Sequence, residues 1–346
     1  MTRTATDAPR VAVVTLGGTI ASAGPLGAPV QPSLGARELV EGLAAAAGVS
    51  LEVHDLVRVP SVEVTLADLY AVAELVGAAR DQGAVGAVVV TGTDTLEEAA
   101  FALDLLAPPG PVVVTGAMRP PGTPGSDGAA NLLAALRVAA APAVAGLGAL
   151  VVLGDQIHAA RYVRKTHTAS PAAFASPSLG PLGDVVEGRV RLRARVSVLP
   201  SIPAAPPRPP FPPVALVPIA LDDDGRVVRA LADLGHAGVV VEAVGGGHVP
   251  AALVSALEEL VARGPVVLAS RTGAGPVLAS TYGYPGGEVD LLARGLISAG
   301  SLDARHARVA LRVLLAAGAS RAQVAAWFAA SEAAEADGAP RAVQYD

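Results

Sequence analysis

The chain has 346 residues, 52% of them hydrophobic and 16% charged, with a net charge of −6 and no cysteine. This length and apolar content can fill the cores of two globular domains, and the missing cysteines exclude disulfides, thiol catalysis and cysteine metal sites. The acidic balance, with no Lys/Arg stripe expected, excludes an obvious footprint for nucleic acid and leaves small-molecule chemistry as the expectation.

The opening MTRTATDAPR is polar and runs directly into an apolar segment, with no separate signal-peptide core, so cytoplasmic residence is the default. The first expected strand, VAVVT at 11–15, ends in LGGTIAS. There Gly17 and Gly18 allow a tight turn that exposes the Thr19 hydroxyl, in the manner of a nucleophile beside an oxyanion site; a plain strand-to-loop turn is the alternative. The following loop, containing Pro25, Pro29, Gln31, Pro32 and Ser33, is long enough to act as a lid. ARELVEGLAAAA then has helical spacing.

Ser61, in VRVPSVEVT, follows a β-like stretch and precedes a helical one, where its hydroxyl and neighbouring amides can hold a carboxylate or merely form a turn. The helix TLADLYAVAELVGAARDQ leads to a strand at 85–92, which ends in TGTDTLEEAA. Thr93, Asp94 and Thr95 there stand at a helix start, with Glu97 and Glu98 complementing the dipole; the alternatives are catalysis or an N-cap. Further strands are expected at 111–116 and 147–154. The uncharged stretch 138–154 is broken by Pro142, Gly146 and Gly148, so it reads as a helix end, a turn and a buried strand and not as a membrane span. Lys165, in ARYVRKTHT, is a candidate proton carrier if it comes near Thr93 and Asp94, and otherwise a surface charge.

These segments alternate as a doubly wound parallel sheet covered by helices, giving an N-terminal α/β catalytic domain over 1–198. The proline-rich 199–213 reads as an extended linker, and a smaller α/β domain occupies 214–346. Within it, AVGGGH at 243–248 lacks the spacing of a nucleotide loop, and His167 and His248 lack metal-ligand spacing.

LGGTIA at 16–21, TGTDTLEE at 91–98, VVVTGAMRP at 112–120, SDGAANLL at 126–133, KTHT and EVDLLARGLISAGSLDARHARV together resemble the bacterial-type L-asparaginase family. The resemblance implies a cofactor-free, metal-free amidohydrolase converting L-asparagine to L-aspartate and ammonia. It also implies a homodimer or homotetramer with shared active sites. By position it makes Thr19 the nucleophile that forms an acyl-enzyme, and Thr93 and Lys165 a hydroxyl–amine pair. Asp94 is then the binder of the substrate α-amino group, Ser61 of its carboxylate, and Glu288 an acid supplied by a neighbouring subunit.

The chain departs from the family pattern at Thr91, where histidine is usual and a structural change is expected, at Val62 after Ser61, and at Gly246, often asparagine. Its lid loop has no tyrosine; Tyr282 and Tyr284, in STYGYPGGE, are candidate replacements, with interface packing as the alternative. Competing readings are a glutaminase or related amidase, including one acting on a mischarged tRNA, and a catalytically weak Asn/Asp-binding sensor. The tRNA version is disfavoured because the first strand begins near residue 11.

Overall fold

The computed structural model describes residues 8–24, 29–200, 202 and 208–336. It divides into two compact units, one extending to Val198 and the other starting at Leu199. Most of the polar N-terminal segment, lid residue Pro25 and much of the proline-rich stretch lie outside the described residues.

In the first unit the strands are β1 (Arg10–Gly17), β2 (Ser22–Ala23), β3 (Gln31–Pro32), β4 (Ser50–Val59), β5 (Gly86–Val90), β6 (Val112–Thr115), β7 (Ala149–Leu153), β8 (Gln156–Ala159), β9 (Arg164–Lys165), β10 (Phe174–Ala175), β11 (Gly183–Val186) and β12 (Arg189–Leu192). The helices are α1 (Ala36–Val40), α2 (Leu43–Ala47), α3 (Leu66–Asp81), α4 (Leu96–Leu106) and α5 (Gly128–Ala139). Eight strands form one sheet in the order β12-β11-β8-β7-β6-β5-β1-β4.

Strands β4, β1, β5, β6 and β7 run parallel, as the alternation predicts. The remaining three are antiparallel, so the sheet is mixed where a parallel one was expected. The cause is local. Gly154 and Asp155 both have positive φ between β7 and β8, as do Glu187 and Gly188 between β11 and β12. Two consecutive positive-φ residues make the type I′ turn, whose twist matches a tight antiparallel hairpin.

Alternation along the parallel strands fills both faces. Val11, Val13, Val88, Val90 and Val113 join Leu132 and Leu136 of α5 in one core. Ala12, Val14, Val89 and Val114, equally buried, point the other way, where α3 and α4 pack on the sheet. The sequence ARELVEGLAAAA is two short helices because Gly42 sits in the left-handed region at φ 74. Helix α3 starts with a capping box: Asp68 N–H donates to Thr65 Oγ1, and Thr65 N–H to Asp68 Oδ2.

Composition does not display one surface feature. On and just beyond β12, Arg189, Arg191, Arg193 and Arg195 are exposed, while Val190, Leu192, Ala194 and Val196 pack against the core. A basic stripe therefore does form, contrary to expectation, because strand alternation brings every second residue to one face.

The second unit contains β13 (Val214–Pro218), β14 (Gly238–Ala243), β15 (Val266–Ser270) and β16 (Ile297–Ser298), with α6 (Arg226–Leu231), α7 (Val254–Arg263), α8 (Glu288–Ala293), α9 (Ala304–Ala316) and α10 (Arg321–Ala336). Its four strands are parallel, in the order β13-β14-β15-β16. Val239, Val241, Leu253, Leu257, Leu268 and Leu291 form its core. Three helices follow β15, and the first of them, α8, stops before Gly295, whose φ is 94. Pro200 already belongs to this unit, its carbonyl accepting the Trp327 indole N–H at 3.0 Å. Among the described residues no helix is long and apolar enough to cross a membrane.

Candidate active site

The ends of β1 and β5 meet through glycines. Gly18 has φ 88, and a Cβ placed on it would lie 2.2 Å from both Cα and N of Gly92. Only hydrogen side chains permit this approach. Thr19 and Thr93 directly follow the two glycines, so the backbone contact brings both hydroxyl-bearing turns to the same end of the sheet. Thr19 opens a one-turn 3-10 helix, Thr19–Ala21, and is partly exposed. Its hydroxyl has no hydrogen-bond partner among the described residues. The turn is anchored by Ser22 Oγ, which donates to Gly18 O at 2.9 Å, and the returning β3 is tied to β2 at Ser22–Pro32 and Ala23–Gln31. The foot of the lid loop is thereby fixed.

Lys165 is brought to Thr93 and Asp94 as the sequence suggested. Its Nζ donates to Thr93 Oγ1 at 2.9 Å and to Asp94 Oδ1 at 2.6 Å. The Lys165 side chain is 15% exposed and that of Asp94 65%, so the amine is mostly enclosed while the carboxylate still faces outward. Thr93 itself is 5% exposed. The cleft here, about 380 Å³, is lined by Asp94, Lys165, Thr166, His167 and Thr168. His167 Nδ1 is occupied as acceptor for the N–H groups of Ala169 and Ser170, a turn-holding role.

Ser61 joins the same group. It is 3% exposed, its Oγ accepts the Asp94 N–H at 3.1 Å, and its carbonyl accepts Thr95 Oγ1 at 2.7 Å. The bond from Asp94 leaves the Ser61 O–H proton available to an anion. Thr95 stands at the N-cap of α4 without making a side-chain cap bond. Its hydroxyl is spent on Ser61, so the N-cap alternative fails for this residue. Val62, next to Ser61, is 64% exposed.

Sequence reading missed Glu97, assigned there to the helix dipole. It is buried, and its Oε2 accepts the backbone N–H of Lys165, gripping the short strand that carries the amine. A first-turn glutamate gives no sequence signal for this, because its partner is 68 positions away. Asp127 and Asn131 were likewise hidden inside a resembling segment. Asp127 accepts from the N–H groups of Met118 and Arg119, while Asn131 donates to Gly116 O and accepts from Gly154 N. They brace the loops at the ends of β6 and β7.

Thr91 is 1% exposed, and its Oγ1 has no partner among the described residues. Thr15, a nearby hydroxyl on β1, is committed: it donates to Asp55 Oδ1 at 2.6 Å. Burial alone would raise the Asp55 pKa, but the Thr15 hydroxyl, the Ala36 N–H and Arg58 outweigh it and hold the carboxyl below its ordinary value.

Glu288 lies in the second unit and is fully buried. Its Oε1 accepts the N–H groups of Thr281 and Tyr282, both at 2.8 Å, and its Oε2 sits 3.0 Å from His248 Nε2. Burial pushes its pKa up, yet these hydrogen bonds prevail and the carboxyl is held below the usual range. The Tyr282 and Tyr284 rings pack edge-on against His248, with centroids at 4.9 and 5.6 Å, and remain 43% and 48% exposed. At Gly246, a Cβ would lie 2.6 Å from Leu278 Cδ1, so Leu278 occupies the space that a larger side chain needs. The stretch 243–248 is a tight turn closed by a bridge between Val244 and His248. Among the described residues no three His, Asp or Glu side chains are grouped to hold a metal.

Two α/β units, one of them gathering hydroxyl, amine and carboxylate groups where its parallel strands end, define an α/β enzyme for small polar substrates. Residues 10–197 match the family described as "Asparaginase, N-terminal", and residues 213–328 match the "Glutaminase/Asparaginase C-terminal domain". The chain belongs to the asparaginase family of enzymes.

Its relatives include the L-asparaginase of Bacillus licheniformis, 34% identical over 89% of this chain and 95% of that protein. The probable L-asparaginase of Deinococcus radiodurans is 40% identical, with 91% and 96% covered. The glutaminase-asparaginase of Pseudomonas fluorescens biotype A is 30% identical, with 90% and 88% covered. Among solved structures, the probable cytoplasmic L-asparaginase of Campylobacter jejuni superimposes with a TM-score of 0.82 at 28% identity, over 93% of this chain and 99% of that one.

Proposed function

We propose that this asparaginase-family enzyme hydrolyses the side-chain amide of L-asparagine through a threonine acyl-enzyme. The observation that carries the reading is Lys165 Nζ within hydrogen-bond reach of both Thr93 Oγ1 and Asp94 Oδ1. In the first step Thr19 Oγ attacks the side-chain carbonyl carbon. The C–N bond breaks, and the proton lost by Thr19 reaches the departing ammonia through the Thr93–Lys165 pair. In the second step water attacks the ester, its hydroxyl staying on carbon as aspartate forms and its proton returning to Thr19. Asp94, charged and outward-facing, pairs with the substrate α-ammonium, and Ser61 O–H donates to the α-carboxylate.

The same reading makes the active enzyme a homodimer or homotetramer, with Glu288 acting from a neighbouring copy. Because the Glu288 carboxylate is already held by two amides and a histidine, that role requires it to act through the loop 281–287 or after rearrangement. Cytoplasmic residence goes with this reading, supported by likeness to the probable cytoplasmic L-asparaginase of Campylobacter jejuni.

Glutamine is the second substrate to weigh, since some relatives carry the name glutaminase-asparaginase. Ammonia release from L-asparagine and L-glutamine separates the two. The expected result is faster turnover of asparagine, abolished in Thr19→Ala with the fold intact. Normal activity in Thr19→Ala would remove the assignment of the nucleophile, and binding without ammonia release would make the protein a sensor.

A further inference from the structure

The stripe on β12 has a setting that a solvated charge run lacks. β12 is the outermost strand of its sheet and, among the described residues, pairs only with β11, which leaves its other edge without a partner strand there. A groove of about 590 Å³ follows that edge, lined by Val190 and Leu192 from one face of the strand and by Arg191, Arg193 and Arg195 from the other, with Asp184 of β11 beside Arg191 and Ala143 of the 142–144 turn at its wall. Residues from both faces line a single groove only where it runs along the strand's edge.

Its charge is strongly one-sided. Arg193 pairs with Asp184, and Arg195 donates to the carbonyls of Ala143 and Ala145, bonds that satisfy its N–H groups without cancelling its charge. Arg189 and Arg191 have no carboxylate partner among the described residues. A further guanidinium, that of Arg137, stands beside the turn at Gly188. Cations thus outnumber anions here on a chain whose net charge is −6. Successive arginines stand about 7 Å apart, the repeat of every second residue along a strand.

We propose that the open edge of β12 docks an acidic, extended segment of a partner protein, which adds as a further strand with its carboxylates facing the arginines. A peptide uses both features: the unpaired backbone edge supplies main-chain hydrogen bonds, and side chains at alternate positions meet the stripe. Single-stranded nucleic acid would use only the charge, for no aromatic side chain lies between residues 189 and 198 to stack a base. A second copy of this chain pairing edge to edge would set arginine against arginine, which disfavours it.

The test is fluorescence anisotropy of the full-length protein with a labelled eight-residue peptide alternating glutamate and threonine. Glutamine–threonine and lysine–threonine peptides and an eight-residue oligothymidylate serve as controls, with hydrogen exchange read over 189–195. The expected results are at least ten-fold tighter binding of the acidic peptide than of the glutamine peptide and slowed exchange on this edge. Arg189→Gln/Arg191→Gln, which places no carboxylate opposite Asp184, should weaken binding at least five-fold with an unchanged melting temperature, and Arg191→Lys should retain most of it. Equal binding of acidic and neutral peptides, unchanged affinity in the double variant, or unaltered exchange on the edge would overturn the proposal. So would tighter binding of the oligothymidylate, which would make the stripe a general polyanion patch.

Discussion

Lys165 Nζ donates a 2.9 Å hydrogen bond to Thr93 Oγ1 across 72 positions of sequence. The amine is held from two sides, through its head by Thr93 and Asp94 and through its backbone by Glu97. If this pair moves the proton in amide hydrolysis, Lys165→Met and Thr93→Val should each lower kcat about 100-fold or more. Glu97→Gln keeps the shape but weakens the grip on the Lys165 amide; a smaller kcat loss of about ten-fold, with KM little changed, is expected. Steady-state kinetics of the three variants against asparagine checks the order.

The Gly18–Gly92 contact predicts a backbone-limited site. Gly18→Ala would drive a methyl group to 2.2 Å from the Gly92 backbone and force a positive φ on a residue with a Cβ. A stability loss on the order of 3 kcal/mol and loss of turnover are expected. Chemical denaturation together with activity assays reads both, and wild-type values would contradict the geometry.

Thr91 predicts the opposite sign. Its buried hydroxyl has no partner among the described residues, so the nearly isosteric Thr91→Val removes a desolvated polar atom. Stability should hold or rise by about 1 kcal/mol, with kcat unchanged. A large drop in kcat would give Thr91 a role in the chemistry.

His158 sets a pH dependence of stability. It is 1% exposed, its Nδ1 lies 2.9 Å from Ser176 Oγ, and burial pushes its pKa down from 6.5 to about 4. Because the folded pKa lies below the unfolded one, the unfolded chain binds more protons between these values. The stabilisation is complete above pH 6.5 and is lost as pH falls towards 4, amounting to roughly 3 kcal/mol. Urea unfolding of wild type and His158→Asn from pH 7.5 to 4.5 should give a shallower slope in the variant.

The missing lid tyrosine leaves the activation of Thr19 to another group, and Thr15 is already committed to Asp55. Tyr282 and Tyr284 are the exposed phenols of the Glu288–His248 cluster. If either acts on the site of a neighbouring copy, its replacement by Phe should cost about 100-fold in kcat. Mixing inactive Thr19→Ala and Glu288→Ala proteins should restore part of the activity by subunit exchange. Wild-type turnover in both Phe variants would leave activation to water or the Thr93–Lys165 pair, and no recovery on mixing would make each chain self-sufficient.

The sequence by itself determined the two α/β units, four of the five parallel strands and the residues to watch, because period-2 and period-3.6 apolar patterns and glycine-rich strand ends are local properties. It also placed Thr93, Asp94 and Thr95 at a helix start, with catalysis and an N-cap left as the alternatives. Only the tertiary structure decided that Thr95 serves Ser61, that Glu97 holds Lys165, that Thr15 is spent on Asp55 and that Glu288 is enclosed by its own loop. It also decided that arginines at alternate positions align beside an edge that no other described strand pairs with. Each of these depends on contacts between residues distant in sequence or on which face of a strand is covered, and a hydroxyl, amine or carboxylate carries no local mark of the partner it will find when the chain closes on itself.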